Sequence, residues 1–392
     1  MSTRFVHSTA AAARLGVKRA SLYAYVSRGL LTAHTLPGRR GSWFDPLELD
    51  TLTKRARGPL ERRPDLRVTS AVTLLERGAY WYRGRPPAML AREHSFEWVA
   101  EWLWTGTDVP EPEGWPVNRD DVRRARGALS ALPKSASPAE RARLVITVLG
   151  ATDPLRTDLR PAGALATARR LLSNTAAVLG GHRRATVAEQ VVAWLGARRA
   201  DPSVTRAIEQ ALVIMADHEL AASTLAVRVS AAFGADPYAA VVAGLGPVSG
   251  ARHGAASRRI EQCLIAIARG ERAPHAAARL LTMGDEVPGF GHPLYPDGDP
   301  RVEMLMPLAR SFGALREADA LHKVVTAQGA ARANVDFALA ALTHRLGFGV
   351  GAGEAIFTMG RLAGWLAHAI EEYTDRTAFR LRAVYTGPRP DA

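Results

Sequence analysis

A succession of alanine- and leucine-rich segments, with apolar residues at helical spacing, constrains the fold more than any other feature of this 392-residue chain. Examples are PAERARLVITVLGA, GALATARRLLSNTAAVLGG, TVAEQVVAWLGA and VTRAIEQALVIMADHEL. Alanine and leucine favour the helix intrinsically. The sequence has no P-loop, no Gly-x-Gly-x-x-Gly after a strand and no cysteine cluster with metal-ligand spacing. A mainly helical body without a metal site is therefore predicted.

The sequence has no candidate membrane span, no apolar signal segment and no pair of cysteines. No apolar run approaches the about 20 residues that span a bilayer, and the first residues, MSTRFVHST, contain no apolar signal core. We expect a cytoplasmic protein without a membrane partner. The lone cysteine, Cys263, permits no internal disulfide and lies in an amphipathic helical stretch, where a buried structural thiol is expected.

Positive charge is concentrated at the N-terminus. Residues 1–66 contain twelve Lys and Arg but five Asp and Glu, so they carry seven of the thirteen net positive charges. One explanation is a module that binds a polyanion. The other is an arginine-rich proteome, which makes many surfaces basic without any nucleic-acid role.

The order of elements in this basic region favours the first explanation. The sequence predicts a helix at 8–15, a turn and a second helix at 16–29, a hairpin with a basic tip at 30–44, and a further helix from Asp45. This order resembles the winged helix-turn-helix of MerR-type regulators and excisionases, which place the second helix in the major groove of duplex DNA. The alternative is a degenerate module kept for dimer contacts or stability. The residues expected to contact DNA are Lys18, Arg19, Ser21, Tyr23, Arg39 and Arg40.

Breaks in the helical pattern of the C-terminal half carry polar residues. The segments are MADHELAAST with His218, SGARHGAASRR with His253, GFGHPLYPDGDPR with His292 and Arg301, NVDFALAAL with Asp336, FTMGRLAGWLAHAIEE with Arg361, and FRLRAVYTGP with Arg380 and Arg382. Singly, each has an ordinary explanation, such as a surface turn for the glycine- and proline-rich segment around His292.

Together, and in this order, these segments resemble the citrate synthase family. The resemblance runs from about residue 70 to residue 388 and includes AYWYRGRPPAMLAREHSFEWVAEWLWTG, SGARHGAA, GFGHPLYPDGDPR, the tetrapeptide NVDF, GRLAGWLAH and RLRAVYTGP. It implies a mainly α fold with large and small helical domains, here preceded by the winged helix-turn-helix domain. The expected boundaries are 1–57 for that module, 58–67 for a linker, 68–254 with 347–392 for the large domain, and 255–346 for the small domain.

The resemblance implies an enzyme that condenses acetyl-CoA with oxaloacetate in a Claisen-type reaction and then hydrolyses the thioester to give citrate and CoA. Acetyl-CoA is a co-substrate, and no other cofactor is implied. Asp336 is the implied base for the methyl proton, and His253 stabilises charge on the thioester oxygen. His292 is implied to donate to the ketone of oxaloacetate.

The remaining implied residues bind oxaloacetate. His218 orients it, and guanidinium groups match its two carboxylates. One arginine comes from the neighbouring subunit in this family, so the resemblance implies a homodimer with shared active sites. The implied arginines are Arg301, Arg361 and Arg380.

Three residues depart from the family pattern and affect which site residues can be assigned by the resemblance. Arg252 and Ala255 replace residues beside the first catalytic histidine, and Leu381 replaces a proline, so that Arg382 competes with Arg380 for the last position. Two other functions stay open. One is a 2-methylcitrate synthase, which would use propionyl-CoA. The other is a DNA-binding transcription regulator whose body senses an acyl-CoA or a di- or tricarboxylate.

Overall fold

The computed structural model describes residues 5–15, 17, 19–27, 31–36, 41–46, 48–49, 68–181, 186–196, 201–250, 256–281, 287–375, 377 and 379, with the backbone alone at 19, 20 and 24. Contacts within the chain divide it into two compact units, Met1–Val68 and Thr69–Ala392. The finer division of the second unit into a large and a small domain stays a prediction.

The first unit contains two helices and a short antiparallel pair of strands. Strand β1 (Val6–His7) leads directly into α1 (Ser8–Leu15), α2 (Arg19–Ser27) follows, and β2 (Trp43–Phe44) pairs with β1. Ala11, Leu22, Leu31, Phe44 and Leu49 form its buried core. The two helices lie where the sequence places them. The tip of the expected wing, residues 37–40, lies outside the described residues, so the winged helix-turn-helix assignment stays a prediction.

The second unit is mainly helical, as expected. It opens with a hairpin of β3 (Thr73–Glu76) and β4 (Ala79–Tyr82), in which Thr73 pairs with Tyr82 and Glu76 with Ala79. The turn residues Arg77 and Gly78 both have positive φ, as the two central residues of a type I′ hairpin turn require. The helices are α3 (Pro87–Glu93), α4 (Phe96–Thr105), α5 (Arg119–Leu129), α6 (Pro138–Thr152), α7 (Pro161–Gly180), α8 (Val187–Trp194), α9 (Pro202–Met215), α10 (Ala222–Ala232), α11 (Pro237–Val248), α12 (Ala256–Ala268), α13 (Ala273–Leu281), α14 (Pro300–Arg310), α15 (Arg316–Ala327), α16 (Val335–Arg345) and α17 (Ala352–Asp375).

Four of these helices begin at a simple sequence signal, a serine or aspartate followed by proline. The side chain of the first residue accepts a hydrogen bond from a free N–H of the first turn, while proline has no N–H to leave unpaired. This pattern starts α6 at Ser137, α9 at Asp201, α11 at Asp236 and α14 at Asp299.

Helix α17 is buried on all sides from Ala352 to Ala369 and forms the centre of the unit. Two glycines let it approach the end of α9 closely. A Cβ atom built on Gly364 would lie 2.4 Å from the carbonyl oxygen of Ala216, and one on Gly360 would lie 2.8 Å from that of Leu212. The backbone N–H of Gly364 donates to the Ala216 oxygen over 2.9 Å. This contact places Arg361 of α17 beside the last residues of α9.

None of the helices in the described part of the chain is long and apolar enough to cross a membrane. The cytoplasmic location itself stays a prediction. Cys263 is buried on α12, as expected for a structural thiol, and its Sγ donates to the carbonyl oxygen of Ala276.

Candidate active site

Two loops that are remote in the sequence run side by side and form the base of the candidate site. The first, residues 289–299, contains no helix, in agreement with its glycines and prolines. Phe290 forms a β-bridge with Ala333 in the segment that precedes α16. The N–H of Gly291 donates to the carbonyl oxygen of Arg332 over 2.7 Å. His292 and the start of α16 therefore lie next to each other.

Asn334 joins these two loops and was not identified in the sequence. Its N–H donates to the carbonyl oxygen of Gly289 and its Nδ2 to that of Gly291, each over 2.8 Å. Its Oδ1 accepts the N–H of Asp336 over 3.0 Å and so caps α16. Asparagine before an apolar helical run is a recognisable cap, but its bond to Gly291 has no local signal.

His292 is a neutral hydrogen-bond donor in this arrangement. Burial, followed by the positive charge of Arg301, lowers its pKa to about 4. Its Nδ1 accepts the backbone N–H of Leu294 over 3.2 Å. The single ring proton of the neutral form must then be on Nε2, which is free to donate to a ligand.

The pKa of Asp336 is raised, whereas that of His292 is lowered. Burial raises the pKa of its carboxyl to about 7, although the charge of Arg301 acts in the other direction. Within the described ranges, its carboxylate has no hydrogen-bond partner of its own. A carboxylate with a raised pKa is a stronger base than an ordinary aspartate and suits proton abstraction near neutral pH.

His218 comes from a third segment, the turn between α9 and α10. Its ring lies 5.5 Å from that of His292 and 5.6 Å from that of Tyr80, and its Nε2 lies 2.7 Å from the hydroxyl oxygen of Tyr295. Burial and the charges of Arg301 and Arg361 hold its pKa well below the usual range. His218 is therefore neutral.

Arg301 is present at the site, but part of its guanidinium is already used. Only 3% of the residue is exposed, and it donates from Nε and Nη2 to Asp299 over 2.9 and 2.8 Å. Asp299 also accepts the N–H of Val335 over 3.0 Å. In this structure Asp299 accepts from this fork of Arg301, and the binding of a substrate carboxylate by Arg301 stays a prediction. The positive charge still acts on both histidines, and Nη1 remains outside this pair.

Arg361 has a donor that is not used within the described part of the chain. It is 1% exposed, and its Nε donates to the carbonyl oxygen of Met215 over 3.0 Å. Its Nη2 is buried and has no hydrogen-bond partner among the described residues. A buried cationic N–H without an acceptor is costly, so this atom favours an anionic ligand.

Several expected site residues cannot be compared with the structure. His253, Arg380, Arg382, Lys18, Arg39 and Arg40 lie outside the described residues, and Arg19 is described by its backbone alone. Ser21 and Tyr23 lie on α2, where Tyr23 is 41% exposed and its hydroxyl donates to Oγ of Ser42 over 3.3 Å.

The described groups suit a specific kind of chemistry. A neutral histidine donor stabilises an oxygen that gains negative charge, and a nearby carboxylate with raised pKa can remove a weakly acidic proton. Two buried arginines favour an anionic substrate. Over the described ranges, no group of three His, Cys, Asp or Glu could hold a metal ion.

Known proteins share both sequence and fold with this chain. The family model "Citrate synthase, C-terminal domain" matches residues 66–382. A citrate synthase from Mycolicibacterium smegmatis is 28% identical over 339 residues, which cover 80% of this chain and 90% of that protein. A 2-methylcitrate synthase from Mycobacterium tuberculosis is 27% identical over 371 residues, which cover 86% of this chain and 94% of that protein.

A solved structure supports the same fold. The ternary complex of citrate synthase from Thermoplasma acidophilum with carboxymethyl coenzyme A and oxaloacetate has a TM-score of 0.67 and 21% identity, covering 84% of this chain and 96% of that chain. Citrate synthases need no cofactor beyond the acetyl-CoA substrate. The prediction of an enzyme is confirmed. Because the family model covers most of its length, this chain belongs to the citrate synthase family.

Proposed function

We propose that the protein condenses acetyl-CoA with oxaloacetate to give citrate and CoA. The observation that carries this proposal concerns His292, a neutral donor, and Asp336, a carboxylate whose pKa is raised to about 7. Asn334 joins the loop that contains His292 to the first turn of α16, which contains Asp336. Condensation needs both groups at once. A base must remove the methyl proton, and a donor must supply a proton to the alkoxide that forms from the ketone.

The residues divide the reaction into steps. The Asp336 carboxylate takes a proton from the methyl group of the thioester, and His253 donates a hydrogen bond to the thioester oxygen of the resulting enolate. The enolate carbon attacks the ketone carbon of oxaloacetate, and Nε2–H of His292 gives its proton to the ketone oxygen. The proton taken up by Asp336 then returns to His292, and water cleaves the thioester to give the carboxylate and CoA. Arg361, Arg380 and the remaining Nη1 of Arg301 bind the substrate carboxylates.

A CoA-release assay with acetyl-CoA and oxaloacetate tests this proposal. Asp336→Ala is expected to lose at least about a thousandfold in kcat, because Asp299, the other described carboxylate that acts on His292, is already paired with Arg301 and is a poor base. Equal rates in the wild type and the variant would contradict catalysis by Asp336 and favour the effector-sensing regulator.

Propionyl-CoA is assayed in parallel, because one methylene group changes the free energy of binding by only about 1 to 3 kcal/mol. A preference for it would identify a 2-methylcitrate synthase.

The proposal includes a homodimer with shared active sites, in which Arg380 belongs to the site of the neighbouring subunit. An exposed apolar stripe along α10 and the residue that follows it supports this proposal. Leu225, Val229 and Phe233 follow each other at intervals of four residues, and Phe233 is 76% exposed. Aligned apolar side chains on one helix face favour contact with another protein surface. Leu225→Glu with Val229→Glu is expected to give monomers in sedimentation and to lose activity.

A second function, binding of duplex DNA by the first unit, is supported by the charge of residues 1–66 and by the order of α1, α2 and the β1–β2 pair. Retention of the full-length protein on promoter-containing fragments should weaken steeply with salt. Arg39→Ala with Arg40→Ala should reduce retention without changing CoA release. No retention by the wild type at low salt would contradict this function.

A further inference from the structure

The Tyr295 hydroxyl makes a contact that the proposed mechanism does not use. Tyr295 lies three residues after His292, is buried, and places its hydroxyl oxygen 2.7 Å from Nε2 of His218. Its ring lies 4.8 Å from the His292 ring and 5.5 Å from the His218 ring. Within the described part of the chain, no other group forms a hydrogen bond with the His218 ring. The tyrosine hydroxyl is thus the group that can decide which nitrogen of His218 carries the proton.

The chemistry of the two groups gives the direction of this hydrogen bond. Burial raises the pKa of Tyr295 to about 12 and holds that of His218 well below its usual range, so both are neutral. A phenol O–H is a stronger donor than an imidazole N–H, and an unprotonated imidazole nitrogen is a stronger acceptor than a phenol oxygen. The tyrosine O–H therefore donates to Nε2, and the proton of the neutral imidazole is on Nδ1.

We propose that Tyr295 is a positioning residue that fixes His218 as its Nδ1–H tautomer, so that Nδ1–H is the donor offered to an oxygen of oxaloacetate. The two histidines then have opposite tautomers. His292 keeps its proton on Nε2 because the backbone N–H of Leu294 donates to its Nδ1, whereas His218 keeps its proton on Nδ1 because the Tyr295 hydroxyl donates to its Nε2. The role toward oxaloacetate rests on the proposed function, whereas the tautomer does not.

Nitrogen NMR of histidine-labelled, full-length protein without substrate tests the tautomer directly. The His218 signals are identified as those lost in His218→Gln. We expect a protonated Nδ1 and an unprotonated Nε2 in the wild type. Tyr295→Phe keeps the ring but removes the hydroxyl and should move the proton toward Nε2. Tyr80→Phe is the matched control, because the Tyr80 ring also contacts His218 while its hydroxyl donates to the carbonyl oxygen of Ile214.

Kinetics separate positioning from a general structural effect. Tyr295→Phe should raise KM for oxaloacetate about tenfold, the size of one net hydrogen bond, with a smaller change in kcat and an unchanged KM for the acyl-CoA. A protonated Nε2 in wild-type His218, or an unchanged KM for oxaloacetate in Tyr295→Phe, would overturn the proposal. If the wild type turns over neither acyl-CoA, the proposed function fails, but the tautomer measured without substrate still decides the assignment of Tyr295.

Discussion

The side-chain amide of Asn334 donates to the carbonyl oxygen of Gly291 over 2.8 Å, directly beside His292. The Oδ1 of the same amide accepts the N–H of Asp336 over 3.0 Å. One side chain therefore fixes the distance between the residue proposed to donate a proton and the residue proposed to remove one. Proximity of this kind is a large part of catalysis, and small displacements lower the rate strongly.

Asn334→Asp is expected to keep the helix cap and lose the bridge. Its carboxylate still accepts the N–H of Asp336 but cannot donate to Gly291, and the two oxygens repel. We expect kcat to fall about 10- to 100-fold with little change in KM, measured by CoA release. Asn118→Asp is the control, because Asn118 also caps a helix through its Oδ1, that of α5, and it bonds no residue of the site. If both variants lose the same activity, Asn334 is not a specific link between the loops.

The pH dependence of kcat/KM should follow Asp336. This residue must be ionised to act as a base, and burial raises its pKa to about 7, so activity should rise with pH through that value and level off above it. His292, with a pKa lowered to about 4, is already neutral throughout this range and adds no second step. Initial rates from pH 5.5 to 8.5 test this. A profile that is flat across neutral pH would show that another group, or product release, limits the rate.

Asp336→Asn should stabilise the protein while abolishing turnover. The folded-state pKa of Asp336 lies above the value of about 4 found in an unfolded chain, so ionisation costs stability. That cost is absent at low pH, grows as the pH rises, and is complete above about 7. We expect Asp336→Asn to raise the free energy of unfolding by about 1 to 3 kcal/mol at pH 8 and by much less at pH 5, measured by urea denaturation. Asp297→Asn, at an exposed position of the loop that contains His292, is the control for removing one negative charge.

The close approach of α9 and α17 predicts the effect of adding one methyl group. A Cβ on Gly364 would lie 2.3 Å from Oδ1 of Asp217, the neighbour of His218, so Gly364→Ala should cost about 1 to 3 kcal/mol and raise KM for oxaloacetate. Gly127→Ala is the control, because Gly127 is also inside a helix but has open space around it. It should stabilise the protein by about 0.5 to 1 kcal/mol. Thermal denaturation with and without oxaloacetate distinguishes the two, and equal effects would contradict the packing explanation.

Local features of the sequence determined the helical body and several helix starts, and the resemblance of its motifs to a known family selected the candidate site residues. Helical periodicity and the pairs of a capping residue with proline act within a few residues, so they are readable without a fold. The interruption around His292 was readable because proline restricts the backbone and removes an N–H donor, whereas glycine gains no stability from the helix and adopts conformations that other residues avoid. The motif order further predicted that His218, His292, Arg301, Arg361 and Asp336 serve one site.

Only the tertiary structure decided the hydrogen bonds, the burial and the pKa values of these residues. The bond from Asn334 to Gly291 and the bond between the Tyr295 hydroxyl and His218 join segments that are remote in the chain. The packing of remote segments also buries Nη2 of Arg361 without a partner among the described residues. The pKa values of Asp336 and His292 depend on burial and on the charge of Arg301, which no local pattern contains. Residue types are written in the sequence, but distances and exposure to water arise only when distant segments pack together.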